Sequence, residues 1–428
     1  MAPRFLRRLF SSPKDELGQL AESLLSERGE ASGVALAREL LAAYSAASEE
    51  VKLQFLLLLA QRFGADLKKI DQAIKRYAAE PGPELARQLH EAAESRLQEF
   101  LRRMNLAPGG TAVLVRMRED VLKSLSKHPE LRTVDADFRH LFVSWFNRGF
   151  LVLRHIDWST PAAILEKIIQ YEAVHEISGW TELRGRLDPA DRKCFAFFHP
   201  TLVDEPLIFV EVALTRAIPD AIAPLLAEGR TPLDPKRATT AVFYSISNCQ
   251  AGLQGVSFGN FLIKQVVEEL RRDMPHLKTF VTLSPVPGFM QWLQREGKAA
   301  FTAAEFDTFK SLDEPGWPGS ADIAKGMQPL LQRAIGTYLL QVKHSSGKPR
   351  DPVSRFHLNN GASLERVNWL GDVSPKGLRE AAGFMVNYLY DLDVIEKNHE
   401  AFAHSGEIAT SRQVRNLVRK RPSAPARS

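Results

Sequence analysis

The feature that most constrains this chain is a change of hydrophobic period near Gly149. From about Asp15 to Phe146 apolar residues recur at three- and four-residue spacings, in LGQLAESLL, VALARELLAAY, EVKLQFLLLLAQRF, LKKIDQAIKRYA, ELARQLHEAAESRLQEFLRRM and EDVLKSL. That spacing lays one apolar stripe along a helix. Breakers at Pro81-Gly82-Pro83 and Pro108-Gly109-Gly110 divide the runs,. Beyond Gly149 the pattern becomes short β-rich runs, FLVLRHI, LIFVEVAL, TTAVFYSI and TFVTLS, separated by loops and amphipathic helices,. The expectation is an all-helical bundle over 1–148, a mixed α/β domain over 149–410 and a flexible basic tail over 411–428.

Composition narrows the classes of function. At 44% hydrophobic and 25% charged residues the chain of 428 suits two globular domains with substantial cores,. The longest apolar run, 55–60, is far below the roughly 20 residues that cross a bilayer,. A net charge of +5 raises the question of a nucleic-acid partner,. The excess sits in the ends: four basic residues in 1–14 and six in 411–428, with no acids in either. Without those ten the body holds 46 basic against 51 acidic residues, which argues against such a partner,.

Cys194 and Cys249 are the only cysteines, so neither a disulfide framework nor a cysteine-rich metal site is expected,. No HExxH, paired histidines or acidic cluster suggests a metal. A cytoplasmic, bacterial-type setting is the simple reading. The Arg-rich start MAPRFLRRLFSS would also suit import into a mitochondrial matrix if the source is eukaryotic,.

The most informative local order is strand, glycine-bearing turn, helix: AVFYSIS, NCQAGLQGVSFG, NFLIKQVVEEL. Phe258, Leu262, Val266 and Leu270 form one stripe on that helix, so it should pack on the sheet,. A loop feeding a helix start offers free N–H groups and a positive dipole end to a phosphate. By residues alone it suits either an anion site or an ordinary tight turn.

QGVSFGNFL resembles the coenzyme A pyrophosphate loop of the GNAT-type acetyltransferases, with Gln254 and Gly259 at the first and last motif positions and Ser257 in place of the first glycine. The longer strings FYSISNCQAGLQGVSFGNFLIK, HLKTFVTLSPVPGF and FHLNNGASLERVNWLGDVS resemble the malonyl-CoA decarboxylase family, and the likeness runs back through HPELRTVDADFRHLFVSWFNRGFLVLRHIDWSTPAAILEKIIQYEAVHEI. The resemblance implies a GNAT-like catalytic domain, malonyl-CoA as substrate, no cofactor beyond the coenzyme A of that substrate, and a homo-oligomer, a tetramer, assembled through the helical domain. It places the catalytic serine on Ser284 in LSPVPGF and the catalytic histidine on His357 in FHLNNGA. The acyl-CoA loop falls on Gln254, Gly255, Val256, Ser257, Phe258, Gly259 and Asn260, and Ser245 and Tyr390 match residues near the thioester. Ser257 stands where family members carry a glutamate, so no catalytic acid is expected there.

Decarboxylation of malonyl-CoA suits these residues. Its electrons pass into the thioester carbonyl as an enolate, so the substrate is its own electron sink. The protein must supply donors to the oxyanion and a proton to the new carbanion carbon. A histidine titrating near about 6.5 could donate that proton, the role expected of His357. Ser284 would hold the malonyl carboxylate or relay a proton, and Phe243 and Phe289 are candidates for an apolar wall. The alternatives are an acyl-CoA-dependent acyltransferase of the same fold and a non-catalytic acyl-CoA-binding protein.

Overall fold

The computed structural model describes residues 13–26, 30–256, 262–297, 301–313 and 316–418. It divides into two compact units. The first holds the chain up to Val152 together with the segments that start at Phe198 and Cys249. Eight α-helices are described in it: Pro13–Leu25, Glu30–Ala46, Glu49–Arg62, Leu67–Ala79, Pro83–Ala93, Arg96–Asn105, Gly110–Ser124 and Arg132–Trp145. Their apolar stripes meet at Tyr44, Phe55, Phe63 and Phe100, whose rings pack edge-on or tilted,.

One boundary differs from the sequence expectation. The run ELARQLHEAAESRLQEFLRRM is two helices, because Ser95 caps the second by accepting from the Gln98 N–H at 3.2 Å and donates to Asp137 at 2.6 Å,. The helices Leu67–Ala79 and Pro83–Ala93 pack mainly on each other and contain no buried residue. Leu67, Ile74 and Tyr77 are exposed by 74%, 49% and 37%. In Glu49–Arg62 only Phe55, Leu56 and Leu59 are buried, while Leu53, Leu57 and Leu58 are half-buried.

Among the described residues the second unit is built on a sheet of eight strands: β1 Val152–Ile156, β2 Arg192–Phe198, β3 Pro206–Thr215, β4 Thr240–Asn248, β5 Thr279–Thr282, β6 Ser284–Pro285, β7 Ser363–Asn368 and β8 Met385–Leu389. The order is β1-β2-β3-β4-β5-β8-β6, with β7 also on β8. β3 and β4 are antiparallel, and β4 and β5 are parallel over Thr240–Phe243 and Thr279–Thr282. One face of β4 and β5 is closed by Val242, Tyr244, Val281 and Leu283 with Ala213, Ile222 and Met385. The expected helix after the glycine turn is Leu262–Asp273, with Leu262, Val266 and Leu270 buried as the stripe requires; Phe258 lies outside the described residues.

β2, β7 and β8 are strands that the hydrophobic pattern did not reveal. β2 and β8 are buried almost throughout, so neither shows the polar alternation of a half-exposed strand,. Tyr390 extends β8, its N–H bonded to the Phe280 carbonyl at 2.8 Å. Nor is 411–428 uniformly a flexible tail. Arg412–Leu417 is a helix capped by Ser411, with Val414 buried and Leu417 against Gly336, where an added Cβ would lie 2.7 Å from the leucine Cβ. Residues 419–428 are outside the described part.

Candidate active site

Strand β8 gathers the residues of the site. Near its start it pairs with β6, Ser284 opposite Val386, and at its end with β5, Val281 opposite Leu389. Tyr388 and Tyr390 are two residues apart and so share a face. His357 meets that face from the helix Pro352–Asn359, begun by Pro352 and by Asp351, whose carboxylate accepts from the Ser354 N–H at 2.7 Å,.

The structure thus brings together Ser284, His357 and Tyr390. His357 Nε2 lies 3.1 Å from Ser284 Oγ, and Nδ1 lies 2.8 Å from the Tyr390 hydroxyl. Ser284 donates to Thr282 Oγ1 at 2.8 Å, and the same Thr282 oxygen accepts the Tyr388 N–H at 3.1 Å. With the serine proton so used, Nε2 is the donor to Ser284 and Nδ1 accepts from Tyr390, the neutral tautomer consistent with these partners. The Tyr388 ring lies over the imidazole, centroids 4.5 Å apart and planes 23° apart. Its hydroxyl is 2.6 Å from Ser354 Oγ.

All of these side chains are buried. Removal from water disfavours the charged form of each. It pushes His357 down to about 3 and raises Tyr388 and Tyr390 well above the usual phenol range. The imidazole is therefore neutral at physiological pH, and the expectation that it titrates near 6.5 is corrected.

Ser245 stands apart from this hydrogen-bonded chain. Its hydroxyl donates to the Glu172 carboxylate, with oxygens at 2.8 and 2.7 Å, and Ser247 joins at 3.2 Å. Glu172 also accepts the N–H groups of Val174 and His175 at 2.8 and 2.7 Å. Phe243 lies edge-on to Tyr390 at 6.1 Å, beside the site. Phe289 instead packs among Trp292, Tyr338 and Phe384 and is core.

Of the loop residues, Gln254, Gly255 and Val256 are described, in the first unit. Gly255 takes a φ of +74°, which favours glycine,. The Gln254 carbonyl accepts from Arg118 Nη1 at 2.9 Å, and the same nitrogen donates to Gly252 O at 2.7 Å. Arg118 is held from behind by Asp135 at 2.8 Å. A Cβ on Gly252 would fall 1.9 Å from the Val115 carbonyl oxygen, so glycine alone permits this approach. Ser257, Phe258, Gly259 and Asn260 lie outside the described residues.

Thr282, Tyr388, Ser354 and Arg118 carry no local sequence signal; their parts depend on pairing across β5, β6 and β8 or on helix packing. Among the described residues no group of three or more His, Cys, Asp or Glu is placed to hold a metal, and no helix is long and apolar enough to cross a membrane.

Comparison with known proteins adds a family. The family model described as malonyl-CoA decarboxylase C-terminal domain matches residues 149–427, and the one described as malonyl-CoA decarboxylase N-terminal domain matches 63–146. The mitochondrial malonyl-CoA decarboxylase of Anser anser anser is 33% identical over 403 residues, covering 86% of this chain and 80% of that protein. That of Rattus norvegicus is 37% identical over 338 residues, covering 72% and 68%. The crystal structure of malonyl-CoA decarboxylase from Rhodopseudomonas palustris superposes with a TM-score of 0.92 at 57% identity, covering 95% of this chain and 100% of that one. The corresponding structure from Agrobacterium vitis gives 0.89 at 56% identity, with the same coverage of 95% and 100%.

Proposed function

This chain belongs to the malonyl-CoA decarboxylase family, and from that membership we propose how its buried serine, histidine and tyrosine take malonyl-CoA to acetyl-CoA and carbon dioxide. The enzyme is a carboxy-lyase. The observation that carries the mechanism is the continuous hydrogen-bonded chain from Tyr390 through His357 to Ser284.

Breaking the bond to the carboxylate carbon sends its electron pair into the thioester carbonyl, and the resulting enolate must gain a proton at carbon. A neutral imidazole serves this step without ever resting as a cation. Ser284 gives its proton to the enolate carbon and takes one from His357 Nε2, while Nδ1 takes one from Tyr390. Solvent reprotonates Tyr390 after product leaves, so each turnover consumes one proton as the stoichiometry requires. N–H or O–H donors at a developing oxyanion contribute roughly 10²–10³ in rate each, and a positioned acid roughly 10²–10⁴. The thioester supplies the electron sink, so turnover needs neither metal nor prosthetic group. The coenzyme A pyrophosphate is held by the loop 254–260, as the family resemblance implies.

Incubation with malonyl-CoA in chelator-treated buffer, with and without an amine acceptor, tests the reading by mass-spectrometric product analysis. Acetyl-CoA and CO2 in equal amounts support it. Acyl transfer to the amine, no turnover, or activity that returns only with one added metal overturns it. A folded Gly259→Asp variant should raise KM sharply; an unchanged KM removes the loop assignment.

The enzyme also works as a homo-oligomer, a tetramer by the same resemblance, in a cytoplasmic compartment. The apolar side chains left open on Leu67–Ala79 and the half-buried flank of Glu49–Arg62 support assembly through the helical unit,. A monomer by light scattering at micromolar concentration overturns the assembly.

A further inference from the structure

Two hydrogen bonds fix the two nitrogens of His357, but two in-plane bonds define only a line through the ring. Rotation about that line would tilt Nε2–H away from Ser284. Something must hold the plane. The ring that faces it is Tyr388, stacked at 4.5 Å with planes 23° apart, whereas Tyr390 meets the imidazole edge-on at 6.0 Å and 76°. Tyr388 is itself immobilised: it is fully buried, and its hydroxyl is 2.6 Å from Ser354 Oγ. Ser354 lies three residues before His357, on the same face of the same helix,. Tyr388 therefore grips that helix at two successive turns, by its hydroxyl and by its ring. Its backbone N–H also bonds Thr282 Oγ1, the acceptor that orients Ser284.

We infer that Tyr388 is a positioning residue that sets the plane of His357 and, through Thr282, the direction of the Ser284 hydroxyl. The inference rests on the proposed roles of Ser284 and His357 and extends them to a residue that touches neither the acyl group nor the transferred proton. Misplacing a reacting group by about 1 Å can cost 10²-fold in rate. Losing the stack should thus act on kcat, whereas ground-state binding of malonyl-CoA should be spared.

Four variants of the full-length enzyme test this: Tyr388→Leu, Tyr388→Phe, Ser354→Ala and the double variant Tyr388→Phe/Ser354→Ala, with His357→Asn as the control for the chemistry. Tyr388→Leu should lower kcat about 10²-fold with KM within about threefold of wild type. Tyr388→Phe keeps the stack and should restore most of that loss, leaving kcat about three- to tenfold down. Ser354→Ala should match it, and the double variant should be no worse than either single change, because both remove the same bond. Wild-type kcat in both Tyr388→Phe and Ser354→Ala, additive losses in the double variant, or a KM that rises as fast as kcat falls would each overturn the inference. The two single hydroxyl deletions keep it testable if the leucine variant does not fold. A fully active His357→Asn would overturn the underlying mechanism instead, while an inactive one beside unimpaired Tyr388 variants would overturn the positioning role alone.

Discussion

Arg118 donates from one guanidinium nitrogen to the main-chain carbonyls of Gly252 and Gln254, at 2.7 and 2.9 Å. The turn ahead of the expected coenzyme A loop is thus shaped by a buried cation in the helix Gly110–Ser124, within the first unit. Arg118→Leu leaves both carbonyls and the Asp135 carboxylate without that donor. Asp135 is partly solvated, which limits the cost of its lost partner, so a loss of about 1–3 kcal/mol of stability is expected. KM for malonyl-CoA should rise several-fold in the variant that remains folded, with kcat little changed. Denaturant titration and steady-state kinetics on the same preparation check both.

Ser284 and Thr282 should separate the two parts of the serine's role. Ser284→Ala removes the hydroxyl proposed to meet the substrate, and both kcat and KM should suffer, kcat by about 10²-fold or more. Thr282→Val keeps Ser284 but removes the oxygen that accepts its proton and the Tyr388 N–H. With the serine free to turn, kcat should fall about tenfold, less than in Ser284→Ala. An equal loss in both variants would show that Thr282 itself meets the substrate.

Ser245 should behave differently from Ser284, because its hydroxyl is engaged by Glu172. Ser245→Ala leaves a buried carboxylate short of a donor, and the cost should appear as about 1–3 kcal/mol of stability. Its kcat should stay within about threefold of wild type. A hundredfold loss of kcat at unchanged stability would instead put Ser245 at the thioester, as the family resemblance implies.

The helical half was legible because each helix carries its own apolar stripe, down to the stop at Pro81-Gly82-Pro83. What the stripe could not show was the break at Ser95, where a single cap outweighs continuous periodicity. In the sheet, β3 and β4 were legible as β-rich runs, but β8 was not. Its MVNYL is buried nearly throughout, and with the following tyrosine it suits a helix as well as a strand. That ambiguity hid the site's organisation: Ser284 and His357 are 73 positions apart and meet only through the pairing of β8 with β5 and β6. Read alone, Ser284 is a residue before a proline and His357 one of eleven histidines. Family strings singled them out, whereas Thr282, Tyr388 and Ser354 are marked only by contacts between distant parts of the chain.

The pH dependence of His357 gives the sharpest test of the relay. A histidine acting as a resting imidazolium with an ordinary titration near about 6.5 would make kcat/KM fall as pH rises through that value. Burial instead holds His357 at about 3, so the imidazole is neutral across pH 5–8 and kcat/KM should show no limb near 6.5 arising from it. Stability should carry the matching signature. The folded pKa is depressed, so as pH falls the unfolded chain binds this proton first, beginning near about 6.5. The contribution of His357 is therefore complete above that pH and is lost progressively down to about 3, on the order of 5 kcal/mol in all,. Asp351 works in the opposite sense. Its buried carboxyl is raised to about 6, and its contribution is present below the ordinary carboxylate range and lost as pH rises through 6,. Comparing wild type with His357→Asn cancels the aspartate. Between pH 7 and pH 4 the variant's unfolding free energy should fall less steeply, by about 2–3 kcal/mol. Parallel stability curves for the two proteins, together with a wild-type kcat/KM limb near pH 6.5, would mean that His357 titrates normally and donates its proton as a cation.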